Sequence, residues 1–376
     1  MKLLHIADLH IGRRLGNISL MEDQRHILAQ IVELAKTCDA VLIAGDIYNR
    51  AQPGGEAVRM AGGFLSDLAA LGKPVFAVAG NHDGGDLVDY CGAILSRNNV
   101  HVAGVYDGAL PRHVLKDEFG EIHVYLLPFV KPVHVRAALK APEIESYADA
   151  VKAALEGVEL DPAARNVLVA HQYVSGAATS DSEERSLGGL DEIPCEVFAG
   201  FDYVALGHLH SPQRLDGGRV CYSGSPLKYT LSEEKQRKGA MIVELREKGA
   251  LSVASVALHP LRDVRTVEGP LLEIAAPELA SDDFIGTTIT DELPPPDPFG
   301  ALRTVYPNLV SMAIRNSRTN VELNIEAMEI EAHKDALEHF IDFYTRQNNQ
   351  QPPDARRVAI MREIIESVKE GEDAAD

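Results

Sequence analysis

Asp8-Leu9-His10, Asp46, Asn81-His82-Asp83, His171 and His208-Leu209-His210 share one setting: each directly follows a short apolar run. The runs are LLHIA, LIAG, FAVAG, VLVA and VALG. Carboxylates, imidazoles and a carboxamide gathered in one place are costly to desolvate unless a cation sits among them. Oxygen and nitrogen donors without thiolates suit Mn²⁺, Fe²⁺ or Zn²⁺. Seven such donors (Asp8, His10, Asp46, Asn81, His171, His208 and His210) exceed the needs of one catalytic ion and suit two ions that share a bridging carboxylate. A pair of this kind, about 3.5–4 Å apart, acidifies bound water and clamps the attacking and leaving oxygens of a phosphoryl displacement. No Ser or Cys nucleophile is then required, and no convincing GxSxG or Cys/His arrangement stands in the chain. His82 is left beside the site as a candidate general acid for the leaving oxygen. Asp83 is a candidate orienter of its ring.

These groups need elements that deliver them to one edge. KLLHIA (2–7), AVLIAG (40–45), PVFAVAG (74–80), EIHVYLLP (121–128), NVLVA (166–170), YVALG (203–207) and RVCYSG (219–224) read as strands. They are mostly apolar rather than alternating, as strands covered on both faces should be. Residues 21–37 and 56–72 read as amphipathic helices between them, which predicts an α/β layered core. In parallel α/β sheets, sites lie at the carboxyl ends of the strands. Extended backbone at Asp8/His10 and at His208/His210 would aim each i, i+2 pair at one face.

The pattern changes near 261–270, and residues 265–330 read as a small α+β domain. In DALEHFIDFYTR (335–346), Leu337, Phe340, Ile341 and Tyr344 form one apolar stripe on a helix. A second amphipathic stretch covers 358–368, before an acidic tail. The expected division is thus 1–264, 265–330 and 331–376.

The 376 residues are 45% hydrophobic and 24% charged, ordinary for a globular protein. No apolar run approaches the roughly 20 residues of a membrane helix. The N-terminal MKLLHIADLH is too polar for a signal peptide. Four scattered cysteines argue against a disulfide framework or a zinc–thiolate site and favour a reducing cytoplasm. A net charge of −20 speaks against an autonomous nucleic-acid binder. Two divalent ions would counter it locally, and Arg13, Arg14, Arg50, Arg97 and Lys228 lie near the motif loops. Of the remaining histidines, His5 and His123 lie inside β-runs and are expected to be packed core groups.

DLH (8–10), GDIYNR (45–50), GNHD (80–83), AHQY (170–173) and GHLH (207–210), in that order, resemble the calcineurin-like metallophosphoesterase superfamily. LLHIADLHIGR, AGDIYNRAQP, YSGSPLKYTLSEE and TDELPPPDP…LRTVYPN resemble its branch of Mre/Rad-type DNA-repair nucleases. The resemblance covers nearly the whole chain. It implies a four-layer α/β/β/α sandwich with a small capping domain, and a C-terminal helical segment that binds an ATPase partner. It also implies Mn²⁺, with one ion held by Asp8, His10, Asp46 and His210. The other would be held by Asp46, Asn81, His171 and His208, with Asp46 bridging and His82 acting on the leaving group. Asn49 departs from the pattern, standing where many relatives carry an acidic residue or a histidine. The activity implied is metal-dependent cleavage of DNA ends, hairpins and single strands, by a homodimer within a heterotetramer. A small-molecule phosphodiesterase would share the metal site without explaining the C-terminal extension. A non-catalytic scaffold would not explain the complete donor set.

Overall fold

The computed structural model describes residues 1–177, 192–293, 296–317, 320–321 and 336–373. Two compact units divide at Asp263/Val264.

Unit 1 is built on two six-stranded sheets. In the first, the strand order is Leu251–Ala257, Gly239–Leu245, Lys2–Ile6, Ala40–Ala44, Val75–Val78, Val100–Ala103. The four strands from Lys2–Ile6 to Val100–Ala103 run parallel, and the two at the other edge pair antiparallel. In the second sheet the order is Gln213–Leu215, Val220–Tyr222, Tyr203–Gly207, Arg165–His171, Gly120–Leu127, Arg112–Asp117. Its four central strands are parallel and its two edges antiparallel.

The facing sides of the sheets share one core. Leu3, Leu42, Phe76 and Val78 meet Val124, Leu126, Val167, Val169 and Ala205 there. Alternation along each strand sends the next residues to the opposite face, which explains why these runs are apolar throughout. On the outer face of the second sheet, Tyr125, Leu168, Ala170, Val204 and Leu206 pack with Val135 of the Pro132–Leu139 helix and Val151 of the Tyr147–Glu156 helix. The Met21–Ala35 helix buries Ile27, Leu28 and Ile31, and the Gly55–Ala70 helix buries Ala57, Ala61, Phe64 and Leu68. His5 crosses the central layer: Nδ1 lies 2.8 Å from the Tyr203 hydroxyl and Nε2 3.1 Å from the Leu206 carbonyl. Burial lowers its pKa to about 3, so the ring works as a neutral connector between sheets. His123 is likewise buried, with Nε2 3.1 Å from Glu121.

Unit 2 holds a smaller sheet of Val264–Gly269, Phe284–Ile289, Leu309–Arg315 and Asn320–Val321. Its first three strands are parallel, and the Leu271–Ile274 and Pro298–Val305 helices lie in the connections between them. Leu271, Ile274, Ile285, Ile289, Leu302, Val305 and Tyr306 form its core. The Ala336–Gln347 and Ala355–Asp373 helices follow. The Leu337/Phe340/Ile341/Tyr344 stripe is half-buried, with Phe340 against Tyr344 and Arg357 over the Tyr344 ring. Residue 335, where the first of these helices was expected to begin, and residues 374–376 of the acidic tail lie outside the described residues. No helix among the described residues is long and apolar enough to cross a membrane.

Candidate metal centre

Five parallel strands point their carboxyl ends at one edge of unit 1, three from the first sheet and two from the second. Lys2–Ile6 leads to Asp8 and His10, Ala40–Ala44 to Asp46, and Val75–Val78 to Asn81, His82 and Asp83. Arg165–His171 ends in His171, and Tyr203–Gly207 leads to His208 and His210.

The seven donors expected from sequence converge there. His10 Nε2 lies 3.0 Å from His210 Nε2 and 3.5 Å from Asp46 Oδ2. Asn81 Oδ1 lies 3.0 Å from His171 Nε2 and 3.1 Å from His208 Nδ1. His171 Nε2 is also 3.4 Å from Asp46 Oδ2. Three overlapping triads have ligand atoms mutually within 4.8 Å: Asp8/His10/His210, His10/Asp46/His82 and Asp8/Asp46/His171.

The backbone achieves this convergence by a route the sequence reading did not foresee. Asp8, His10, Asp46 and His208 all have positive φ, at 53°, 43°, 51° and 106°. The i, i+2 pairs are therefore not aimed by an extended pleat, because left-handed turns just past the strands direct them. Non-glycine residues in this region carry strain of roughly 1–3 kcal/mol each and cluster at functional sites. Two glycines make the close approach possible. A Cβ on Gly80 would overlap the Asp46 carboxylate, and one on Gly45 would overlap the His171 ring.

Electrostatics mark the same spot. Burial pushes Asp8 up to about 7, against the pull of His171 and His210. Burial opposes charge on His171 too, but the Asp46 and Asp8 carboxylates raise it to about 9. For Asp46 burial likewise opposes the charge and would raise it, yet His171, His10 and His82 together hold it well below the usual carboxylate range. Burial lowers His208 to about 3, and His10 falls well below its ordinary value for the same reason. The cluster thus attracts positive charge while keeping some imidazoles neutral, as metal ligands must be. Asp8 Oδ2 is buried without a hydrogen-bond partner, and two Nε2 atoms face each other across 3.0 Å. A buried carboxylate oxygen without a partner, beside two closely opposed imidazole nitrogens, fits divalent ions of mixed O/N coordination.

His82 stands apart in exposure. Its side chain is 18% exposed, whereas those of His10, His171 and His210 are at most 3%. Its backbone N–H donates to Asp46 Oδ1 at 2.9 Å, and Nε2 lies 4.0 Å from Asp46 Oδ2. Asp83 uses both oxygens on the loops instead: it accepts from the N–H groups of Ile47 (3.1 Å), Tyr48 (2.8 Å) and Gly80 (2.9 Å). It ties the loop bearing Asp46 to the loop bearing Asn81.

Sequence reasoning missed two supports of the loop that bears Asp8 and His10. Gln24 sits on the buried face of the Met21–Ala35 helix. It accepts from Gly12 N–H and donates to the Leu9 and His10 carbonyls, clamping the loop of Asp8 and His10. Its place at i−3 and i−4 from Ile27 and Leu28 was the available signal. Tyr229 donates its hydroxyl to the Leu9 carbonyl at 2.6 Å and packs edge-on against His10 and His210. Of the basic candidates, Arg13 donates to Asn49 Oδ1 at 3.0 Å and Lys228 pairs with Asp263 at 2.8 Å. Arg14, Arg50 and Arg97 are exposed.

The strand order and the convergent O/N cluster define a phosphoesterase architecture. Residues 1–212 match the calcineurin-like phosphoesterases, and the chain belongs to that family. Residues 260–348 match a family described as the type 5 capsule protein repressor C-terminal domain. Along its length the chain is similar to the D component of the nuclease SbcCD from Staphylococcus epidermidis. The two are 29% identical over 361 residues, 93% of this chain and 94% of the relative. A solved structure of TT1561 from Thermus thermophilus matches 68% of this chain and 98% of its own at 14% identity, with a TM-score of 0.39.

Proposed function

We propose that this chain is a two-metal-dependent DNA nuclease subunit that acts with an SbcC-type ATPase in processing DNA ends and hairpins during repair, recombination and replication. One observation carries the metal reading: Asp46 Oδ2 lies 3.5 Å from His10 Nε2 and 3.4 Å from His171 Nε2, between two sets of donors. Asp8, His10, Asp46 and His210 would hold one ion, and Asp46, Asn81, His171 and His208 the other, with Mn²⁺ as the working ion. When bound, such ions supply an acidified water and electrostatic stabilisation of the phosphoryl transition state. The chain's own contribution is orientation and proton delivery. His82, the partly exposed imidazole of the cluster, protonates the departing oxygen. Asp83 holds the loops from which Asp46 and Asn81 project.

The rest of the assignment is supported by the relative's name and by the second family match. Residues 265–330 act as a capping domain, and 331–376 as the helical segment that meets the ATPase. The exonuclease and endonuclease activities on duplex ends, single strands and hairpins, the homodimer within a heterotetramer and a cytoplasmic setting belong to the same reading. At a net charge of −20, much of the DNA affinity comes from the partner.

The test is cleavage by the purified subunit with Mn²⁺ of a closed DNA hairpin, a linear duplex and a small phosphodiester, each with and without an SbcC-type partner. DNA cleavage that becomes ATP-dependent with the partner is expected. Rapid turnover of the small diester with DNA untouched would overturn the nuclease reading and leave a phosphodiesterase.

A further inference from the structure

His210 is held by a buried network that the metal reading does not use. Its Nδ1 lies 3.2 Å from Glu233 Oε1, and Glu233 is fully buried. The other Glu233 oxygen accepts the Tyr229 N–H at 3.2 Å and pairs with Lys238 Nζ at 2.5 Å. Lys238, 8% exposed, also donates to the His210 carbonyl and to Ser225 Oγ, both at 2.8 Å. The network thus grips His210 twice, by its ring and by its backbone. All four partners come from the single stretch 225–238.

We infer that Glu233 is a positioning residue for the metal centre: it accepts the Nδ1–H of His210 and so turns the Nε2 lone pair toward Asp8 and His10. A neutral imidazole carries one N–H, and the bond made by one nitrogen decides which nitrogen is free to bind a cation. His171 and His10 lack this arrangement. His171 is fixed by a backbone carbonyl, Ala44, at 2.8 Å, and His10 Nδ1 has no hydrogen-bond partner among the described residues. Lys238 makes the buried carboxylate tolerable, since an unpaired charge there would be strongly destabilising. The inference rests on the metal-centre reading above.

The structural alternative is that Glu233–Lys238 is only an internal ion pair. Two measurements separate them. In the first, Mn²⁺ binding to the full chain is followed by calorimetry for wild type and Glu233→Gln. One of two sites is expected to weaken about 10–100-fold in the variant, the range typical when such an outer partner is lost. The second uses ¹⁵N-histidine NMR of the wild-type chain free of metal, where His210 is expected as the Nδ1–H tautomer. That assay needs no variant and stands if Glu233→Gln fails to fold. Wild-type affinity at both sites in a folded Glu233→Gln, or an Nε2–H tautomer for His210, overturns the inference alone. Failure of the wild type to bind two ions overturns the metal-centre reading and this inference with it.

Discussion

Nε2 of His10 and Nε2 of His210 face each other at 3.0 Å, although the residues lie 200 positions apart in the chain. Two neutral imidazoles in that pose present either one shared proton or two opposed lone pairs. A cation drawn in between relieves the conflict, and a ligand that binds only the folded state stabilises it. At 100 times the dissociation constant, Mn²⁺ is expected to add about 2.7 kcal/mol per site. For a unit of this size that is a rise in Tm of roughly 5–10 °C. Thermal melts with Mn²⁺ and with EDTA check this; superimposable curves would count against a metal centre.

His82→Ala is expected to lower kcat by about 10²–10⁴-fold, the usual worth of a general acid. Mn²⁺ stoichiometry should stay at the wild-type value, because the other donors remain. Loss of an ion in the variant would make His82 a ligand instead, a role its 4.0 Å approach to Asp46 leaves geometrically open.

Asp83→Ala removes the acceptor of three backbone N–H groups. The expected cost is about 2–4 kcal/mol of stability, read in urea unfolding, with metal affinity falling alongside. Should kcat fall alone, with stability and metal affinity intact, Asp83 acts on the His82 ring rather than on the loops.

His5 sets a pH dependence remote from the cluster's own chemistry. Its pKa is lowered by burial to about 3 in the folded chain, against about 6.5 unfolded. Above 6.5 both states are neutral and His5 adds no slope. As pH falls from 6.5 toward 3, the unfolded chain takes a proton that the folded one refuses, and stability drops by roughly 1.4 kcal/mol per pH unit. His5→Leu should flatten the stability profile by up to one proton in that window, by denaturant titration at several pH values. An unchanged slope would mean that the ring already charges in the folded state.

The isolated subunit is expected to bind duplex DNA weakly, since a net charge of −20 opposes phosphate. Fluorescence anisotropy at physiological salt is the direct check. Nanomolar affinity there would require a basic surface that outweighs the chain's overall charge.

Much of the site was legible because its chemistry needs polar residues where buried strands end, and Asp8, Asp46, Asn81, His171 and His208 interrupt apolar runs abruptly. The supports were harder to see. Gln24 and Tyr229 act through backbone carbonyls of a loop distant in sequence, and Glu233 reads locally as one of two adjacent acids in LSEEK. The left-handed turns at Asp8 and His10 were invisible because neither residue type demands positive φ. Edge strands also escaped: Arg112–Asp117 alternates exposed and half-buried residues and lacks a strong apolar signature. The Gly239–Leu245 strand is apolar enough to read, but its position beside Lys2–Ile6 depends on a pairing from the far end of the unit.

That last pairing bears on when the chain can become active. As the ribosome emits the N-terminus first, Asp8, His10 and Asp46 appear early, on strands whose outer neighbour has yet to be made. His208 and His210 follow only after two hundred residues, and Gly239–Leu245 seals the open flank of Lys2–Ile6 later still. A partial product that ends before His208 therefore carries at most five of the seven donors, and the Lys2–Ile6 strand still lacks its outer neighbour. The order of the chain itself leaves such a fragment without a complete metal centre.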